Sequence, residues 1–159
     1  MKLESVRKIA RVLNRAKVKF IIVGGLAVAA HGYGRQTQDV DLVIQLIPDS
    51  IQGAFRALAK LGYRPIVPVT ADAFSDPRQR SKWIKEKGMM VLHFHSDLQP
   101  DTSVDLFAKE PFDFASEYKR SKTEKVGGGV DVRIVRLETL LRLKRKAGRP
   151  QDLTDIAEL

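Results

Sequence analysis

The first part of the chain combines a helical and an extended hydrophobic pattern. Apolar residues recur at helical spacing with Lys and Arg between them, which predicts an amphipathic helix over residues 3–17. The continuous apolar segment 20–23 predicts a buried strand. Gly24 and Gly25 then lead into the helix-forming segment 26–30, so the predicted order is strand, glycine pair, helix.

The rest of the pattern alternates predicted strands with predicted helices. Apolar and polar residues alternate over 40–46 and the alternation stops at Pro48, which predicts a strand. Asp49 or Ser50 is a suitable cap for a helix through residue 61. The later elements are a short helix at 79–86, strands at 89–94 and 102–107, a hairpin at 124–133, a helix from 137 to the glycine at 148, and a last helix beginning near Pro150.

These elements predict an α/β (α+β) fold in which helices flank a mixed β-sheet, with a short helical part at the C-terminus. We expect residues 1–110 to form the core and residues 111–159 to form a hairpin and helical extension packed on it. With 159 residues and 43% apolar residues, the chain is long enough to bury a core without covalent cross-links.

Composition excludes several classes of site. The chain has no cysteine, which rules out disulfides, a thiol nucleophile and cysteine zinc sites. No apolar segment approaches the about 20 residues that a bilayer requires, and residues 1–15 lack the apolar run of a signal peptide. We therefore expect a cytoplasmic protein with no membrane partner.

The charge balance favours a polyanionic partner. The 28 Lys and Arg against 19 Asp and Glu give a formal charge of +9, which suits a nucleotide, RNA, DNA or an acidic protein surface. Within this basic chain, several aspartates nevertheless recur on or near predicted strands.

Asp39 and Asp41 form the first candidate site. Side chains two apart on a strand point to the same face, so the two carboxylates project together and repel each other. A divalent cation, Mg²⁺ or Mn²⁺, keeps both ionised most easily and also binds substrate phosphates. The alternative is a pair of solvated aspartates on an exposed strand face.

Two further features extend this site. Gly24 and Gly25 lack side chains where a strand meets a helix, which lets phosphates approach backbone N–H groups; a simple tight turn is the alternative. Asp105 is polar on an otherwise apolar strand, although an edge-strand charge would look the same. Three carboxylates around one cleft would repel, so we expect at least one aspartate to titrate above its ordinary value.

For other polar residues the sequence gives less evidence of a functional role. Arg35 and Thr37 alternate with the two aspartates and are candidates for lining the same cleft. Lys144 extends the apolar stripe of its helix, so it either snorkels to solvent or reaches a cavity and a triphosphate. His93 and His95 alternate with Asp97 on one face and would suit a metal, but with no third imidazole nearby we expect surface or cross-strand residues. Asp152 and Asp155 are explained as acids in the first turns of the last helix, where Arg149 is a candidate to pair with them.

Together, these motifs resemble the DNA polymerase β-like nucleotidyltransferase superfamily. The resemblance rests on Val23-Gly24-Gly25, on Arg35-x-Thr37-x-Asp39-Val40-Asp41-Leu42, and on Val104-Asp105-Leu106. The tail, with Lys144-x4-Arg149-Pro150-x-Asp152-x2-Asp155, further resembles small prokaryotic nucleotidyltransferases related to AbiEii-type toxins of toxin–antitoxin systems.

The resemblance implies a role for each motif. Asp39, Asp41 and Asp105 carry over as metal ligands and catalytic residues, and Asp105 as the base for the incoming nucleophile. The set implied to bind the nucleotide is Gly24, Gly25, Arg35, Thr37 and Lys144. One departure is that many members have serine where this chain has Gly25, so the triphosphate would depend on backbone donors and cations.

The implied activity is metal-dependent transfer of a nucleoside monophosphate from a nucleoside triphosphate to an acceptor, which is RNA, a protein or a small molecule. The resemblance also leaves a toxin–antitoxin role and a requirement for a partner protein open. A catalytically silent protein that binds nucleic acid or a partner on the same scaffold is the alternative; retention of all three aspartates argues for the enzyme.

Overall fold

A seven-stranded sheet with eight helices makes up the fold, in a computed structural model that describes residues 1–159. The strands lie in the order β3-β4-β5-β2-β1-β7-β6. In chain order the elements are α1 Leu3–Arg15, β1 Phe20–Val23, α2 Gly24–Ala30, β2 Asp39–Ile44, α3 Pro48–Ala59, β3 Arg64–Pro65, α4 Ala71–Ser75, α5 Pro77–Lys87, β4 Val91–His95, β5 Ser103–Phe107, α6 Phe114–Arg120, β6 Lys122–Lys125, β7 Asp131–Ile134, α7 Leu137–Ala147 and α8 Pro150–Glu158.

The sheet is mixed, which confirms the predicted fold class. At its centre, β2 runs antiparallel to β1 and parallel to β5. On one side β4 pairs antiparallel with β5, and on the other β7 pairs parallel with β1. The active-site candidates on β2 and β5 therefore lie on two adjacent strands in the middle of the sheet, where both neighbours constrain their positions.

Apolar burial explains the central strands and the first helix. All four residues of β1 are buried, as the continuous apolar segment predicts. Helix α1 buries its apolar stripe, including Ile9 and Leu13, and packs against α3. A Cβ at Gly53 of α3 would lie 2.9 Å from the Val18 side chain, so only glycine allows this close approach between α3 and the segment before β1.

The structure corrects several predicted boundaries. Pro48 lies in the first turn of α3, with Ile47 as the cap, and the predicted Asp49 or Ser50 cap was wrong. Proline suits that position because its fixed φ is helical and its missing N–H is not needed there. Two short helices, α4 and α6, were not predicted; the side chains of Thr70 and Asp113 cap them by accepting backbone N–H bonds.

The C-terminal segment contributes to the same sheet. The predicted hairpin forms as β6 and β7, and β7 lies beside β1. Helix α7 contacts both α2 and α8. These contacts place α7 beside the helix that begins at the glycine pair, while the division of the chain at residue 110 stays a prediction.

None of the helices combines the length and the apolar character that crossing a bilayer would need.

A buried carboxylate joins α6 to the start of α7. Glu117 is 3% exposed and accepts hydrogen bonds from the Thr139 hydroxyl at 2.7 Å and from Arg136 Nη2 at 3.1 Å. These donors hold the pKa of Glu117 below its ordinary value, against the opposing effect of its burial. The carboxylate thereby fixes where α7, which carries Lys144, begins.

We expect Glu117→Gln to lower the free energy of unfolding by about 1–3 kcal/mol, because it removes the charge that the Arg136 and Thr139 donors satisfy. Glu138→Gln is the matched control: Glu138 also pairs with Arg136 but is 79% exposed, so its loss should cost less than about 0.5 kcal/mol. Urea denaturation of the two variants and wild type measures the difference. Equal effects would show that Glu117 has no special structural role.

Candidate functional site

Three polar residues form a row across the middle of the sheet. Asp41 on β2 lies opposite Asp105 on β5, and Asp105 lies opposite His93 on β4. On the other side of Asp41, the paired residue is the buried Val23 of β1. Residues opposite each other on adjacent strands share a face and lie about 5 Å apart, so the polar side chains of the row project together.

Asp39 lies two residues before Asp41 on β2, and its side chain is on the same face of the sheet as this row. One ligand atom each from Asp39, His93 and Asp105 lies within 4.8 Å of the other two. The side chain of Asp105 is 14% exposed and that of His93 is 36% exposed, and the His93 Nδ1 pairs with the Asp105 Oδ1. The predicted convergence of the acidic residues is therefore present, and it includes an imidazole.

The first glycine of the pair allows Asp41 to approach the start of α2. Gly24 has a φ of +67°, in the left-handed region that disfavours side chains. A Cβ at this position would overlap the Asp41 carboxylate. Conformation and space thus both require glycine, and the Asp41 carboxylate lies directly against the backbone turn between β1 and α2.

The second glycine makes room for Arg35 and Thr37. A Cβ at Gly25 would lie 2.9 Å from the Thr37 hydroxyl and 3.0 Å from Arg35 Nη2. The Thr37 hydroxyl also donates to the backbone carbonyl of Asp39 at 3.4 Å. Both residues therefore border the glycine turn, next to the strand that carries the aspartates.

The electrostatics of the row favour a proton or a cation. Burial raises the pKa of Asp41 from 3.8 to about 7, and the charges of Asp105 and Asp39 add to this effect. Burial also raises the pKa of Asp105, although its hydrogen bond with His93 opposes the rise. This confirms the expectation that at least one aspartate titrates above its ordinary value.

A buried cluster of charges lies beyond the glycine turn, where α7 meets α8. Lys144 is 5% exposed, and its Nζ lies 3.0 Å from Asp152 Oδ1 and 3.1 Å from Asp155 Oδ2. The charge of Lys144 lowers the pKa of Asp41 slightly against the larger effects that raise it, so the cluster is electrostatically connected to the site. Lys144 therefore does not snorkel, while its contact with a triphosphate stays a prediction.

Two arginines complete this cluster. Arg35 binds Asp155 in a bidentate manner, with N–O distances of 2.8 and 3.0 Å, and Arg149 Nε lies 2.8 Å from Asp152 Oδ2. These donors, together with Lys144, hold the pKa values of Asp152 and Asp155 below their ordinary value, although burial acts in the opposite direction. The explanation of these two acids as helix-dipole residues was incomplete, because both are fully buried and paired.

The structure brings together most of the predicted site residues and adds one. The acids of β2 and β5, the glycine pair, Arg35 and Thr37 lie around one turn and one face of the sheet. His93 is the residue whose role the sequence did not reveal: its pairing with Asp105 depends on the register between β4 and β5. His95, two residues further, pairs only with the exposed Asp97.

The raised pKa of Asp41 predicts a pH-dependent stability of the metal-free protein. The folded state favours the protonated carboxyl, so the stabilisation is complete below pH 3.8 and is lost as the pH rises through about 7. With a chelator present, the free energy of unfolding of wild type should fall by on the order of 2–4 kcal/mol between pH 5 and pH 8. Asp41→Asn should not show this fall. Asp41→Asn should accordingly melt at a higher temperature than wild type at pH 8.

Asp131→Asn is the control for this effect, because Asp131 is exposed on β7. Its melting temperature should follow that of wild type at each pH. Thermal melts across pH measure all three proteins, and parallel curves for wild type and Asp41→Asn would contradict the electrostatic assignment.

The buried cluster makes a separate prediction for Lys144. Lys144→Ala leaves two buried carboxylates with one cation fewer, so it should lower the free energy of unfolding by about 3–5 kcal/mol. Lys146→Ala removes an exposed lysine from the same helix and should change it by less than about 0.5 kcal/mol. Denaturant titrations compare the two variants; similar small losses would show that the cluster is not important for stability.

No protein-family model and no curated protein sequence matches this chain. Solved structures with a similar fold include a Thermotoga maritima protein assigned as a nucleotidyltransferase, at 16% identity and a TM-score of 0.58, covering 98% of this chain and 90% of that one. The antibiotic-resistance factor ANT(2'')-Ia, solved with adenylyl-2''-tobramycin, is similar at 15% identity and a TM-score of 0.60, covering 98% and 85%. At these identities the likeness concerns the fold, and it shows that this chain has the nucleotidyltransferase fold.

Proposed function

We propose that this chain transfers a nucleoside monophosphate from a nucleoside triphosphate to an acceptor, with pyrophosphate as the leaving group, using a divalent cation at Asp39, Asp41 and Asp105. The observation that carries the proposal is the convergence of these carboxylates, from two adjacent parallel strands, beside the glycine turn. The resemblance of the sequence motifs and the nucleotidyltransferase fold both support it.

The residues present fit a divalent cation. Carboxylate oxygens are the donors that Mg²⁺ and Mn²⁺ prefer. Burial, with the charges of Asp105 and Asp39, raises the pKa of Asp41, and a bound cation would oppose that rise by stabilising the ionised carboxylate. A bound cation in such a site neutralises charge on the phosphates and on the reacting oxygens.

The protein side chains would then bind, orient and move a proton. Asp105, with its raised pKa, is suited to accept the proton of an acceptor hydroxyl at a carboxylate oxygen. Gly24 and Gly25 present backbone without side chains where the phosphates would approach. Because Gly25 offers no hydroxyl, we assign the phosphate contacts to backbone N–H groups and to neighbouring cations.

Arg35 and Lys144 are the cations that we assign to the nucleotide. Arg35 has the more direct access, because its guanidinium borders Gly25 and its side chain is 19% exposed, whereas the side chain of Lys144 is 7% exposed and is held by Asp152 and Asp155. Thr37 would act mainly through the backbone, since its hydroxyl donates to the carbonyl of Asp39. The buried acids therefore position both cations rather than leaving them to solvent.

The acceptor is one of three classes. The charge of +9 favours RNA over a protein. A small molecule is the other class, and the structure of ANT(2'')-Ia with adenylyl-2''-tobramycin supports keeping it, since that protein has the same fold. An AbiEii-type role in a toxin–antitoxin system and a cytoplasmic location stay part of the proposal.

Labelled nucleotides test the proposal directly. The protein is incubated with Mg²⁺, cell extract and each nucleoside triphosphate carrying label at the α- or the γ-phosphate. We expect an acceptor to gain label from the α-position only. Asp39→Asn and Asp41→Asn should each reduce this transfer by at least about 10²-fold, because each removes charge from the metal site without removing volume.

Asp131→Asn serves as the control for charge removal elsewhere and should transfer label at the wild-type rate. Digestion of the labelled product with nuclease or protease separates RNA, protein and small-molecule acceptors. If no acceptor gains label although triphosphate and metal bind, the chain is instead a silent binding protein on the same scaffold. Transfer that survives in both Asp39→Asn and Asp41→Asn would remove these residues from the mechanism.

A further inference from the structure

His93 occupies a position in the site that the acidic motifs do not explain. Its Nδ1 pairs with Asp105 Oδ1, and one of its ring nitrogens belongs to the group that lies within 4.8 Å together with Asp39 and Asp105 oxygens. Each of the three residues comes from a different strand of the central sheet: β2, β4 or β5. Hydrogen bonding along those strands fixes the three donors relative to one another.

The donor set differs between the two parts of the site. Asp41 lies against the glycine turn, and the acidic residues that act on it are Asp105 and Asp39. Asp39 and Asp105, in contrast, share their space with an imidazole. Carboxylate oxygens suit Mg²⁺, whereas an imidazole nitrogen is a ligand that Mg²⁺ uses rarely and that first-row transition metals bind well.

We propose that His93 is a metal ligand together with Asp39 and Asp105, and that its imidazole makes this position select a divalent transition metal such as Mn²⁺ over Mg²⁺. This inference rests on the proposed function, since it concerns one cation position of the same site. It adds a nitrogen ligand to an otherwise all-oxygen donor set. The His93 side chain is 36% exposed, so a metal and its remaining water ligands have access to it from solvent.

The chain supplies a matched control for His93. His95 lies two residues further along β4 and also pairs with an aspartate, Asp97. This second pair is exposed at 47% and 88% and contains a single carboxylate. A histidine–aspartate pair alone is therefore present twice on this strand, whereas the group of three donors occurs once.

Pulsed electron paramagnetic resonance of bound Mn²⁺ tests the ligand directly. Wild-type protein loaded with Mn²⁺ should show nitrogen coupling to the metal, and labelling the histidines with ¹⁵N should change that coupling. His93→Gln should abolish it and weaken Mn²⁺ binding by at least about tenfold, because it removes the nitrogen ligand. Mg²⁺ affinity, measured by competition, should fall by less than about threefold.

His95→Gln should keep both the nitrogen coupling and the affinity for Mn²⁺. Since the labelled wild type reports on the ligand without any substitution, the test does not depend on whether His93→Gln folds. Absence of nitrogen coupling in wild type, or an unchanged preference for Mn²⁺ in folded His93→Gln, would overturn the inference and reduce His93 to a residue that orients Asp105.

Asp39→Asn shows whether the bound metal occupies the assigned site, whereas His93→Gln tests the inference apart from the proposed function. If Mn²⁺ binding and its nitrogen coupling both disappear in Asp39→Asn, the metal occupies the assigned site, which supports the inference. If Mn²⁺ binding persists unchanged in Asp39→Asn, the metal lies elsewhere, and both the inference and the proposed metal site fail. Loss of the His93 effect alone leaves the proposed nucleotidyl transfer intact.

Discussion

The carboxylates of Asp41 and Asp105 lie opposite each other on adjacent parallel strands, in a part of the sheet where little solvent reaches them. Like charges placed opposite each other across strands destabilise a sheet, and burial increases that cost. Burial raises the pKa of both residues, and for Asp41 the charges of Asp105 and Asp39 add to the rise. A proton or a cation among these residues would relieve the repulsion.

The surrounding structure holds this unfavourable pair in place. Strand β2 is bonded on both sides, by β1 and by β5, and every residue of β1 is buried, so the aspartates cannot separate without disrupting the core. The start of α2 approaches Asp41 closely because Gly24 has no side chain. On the far side of the glycine turn, the cluster of Lys144, Asp152, Asp155, Arg35 and Arg149 joins α7 and α8 to the loop before β2. Because removing one member of a buried ion cluster leaves the others unpaired, the cluster resists rearrangement.

The sequence predicted those features that depend on local pattern. The alternation of side chains along a strand places Asp39 and Asp41 on one face, and the glycine pair marks the turn that they face. The alternation of strands with helices also followed from the pattern of apolar segments. By contrast, the partner of Arg35 is Asp155, 120 residues away, and the neighbour of His93 is set by the register of β4 against β5. Neither contact has a local signal, so spacing alone identified neither the Arg35–Asp155 pair nor the imidazole beside Asp105.

The order of the strands explains why the site is chemically asymmetric. The neighbour of Asp41 on β1 is Val23, an apolar residue followed at once by the glycine turn, so this side offers backbone and no further ligand. The neighbour of Asp105 on β4 is His93, so the other side offers a nitrogen donor. Antiparallel pairing of β4 with β5 places every second residue of β4 on the face that carries the aspartates, and of these only His93 lies opposite an acid of that face. A single position on β4 thus controls whether the two sides of the site have the same donor chemistry, whereas Gly24 is required by its left-handed backbone and by the closeness of Asp41.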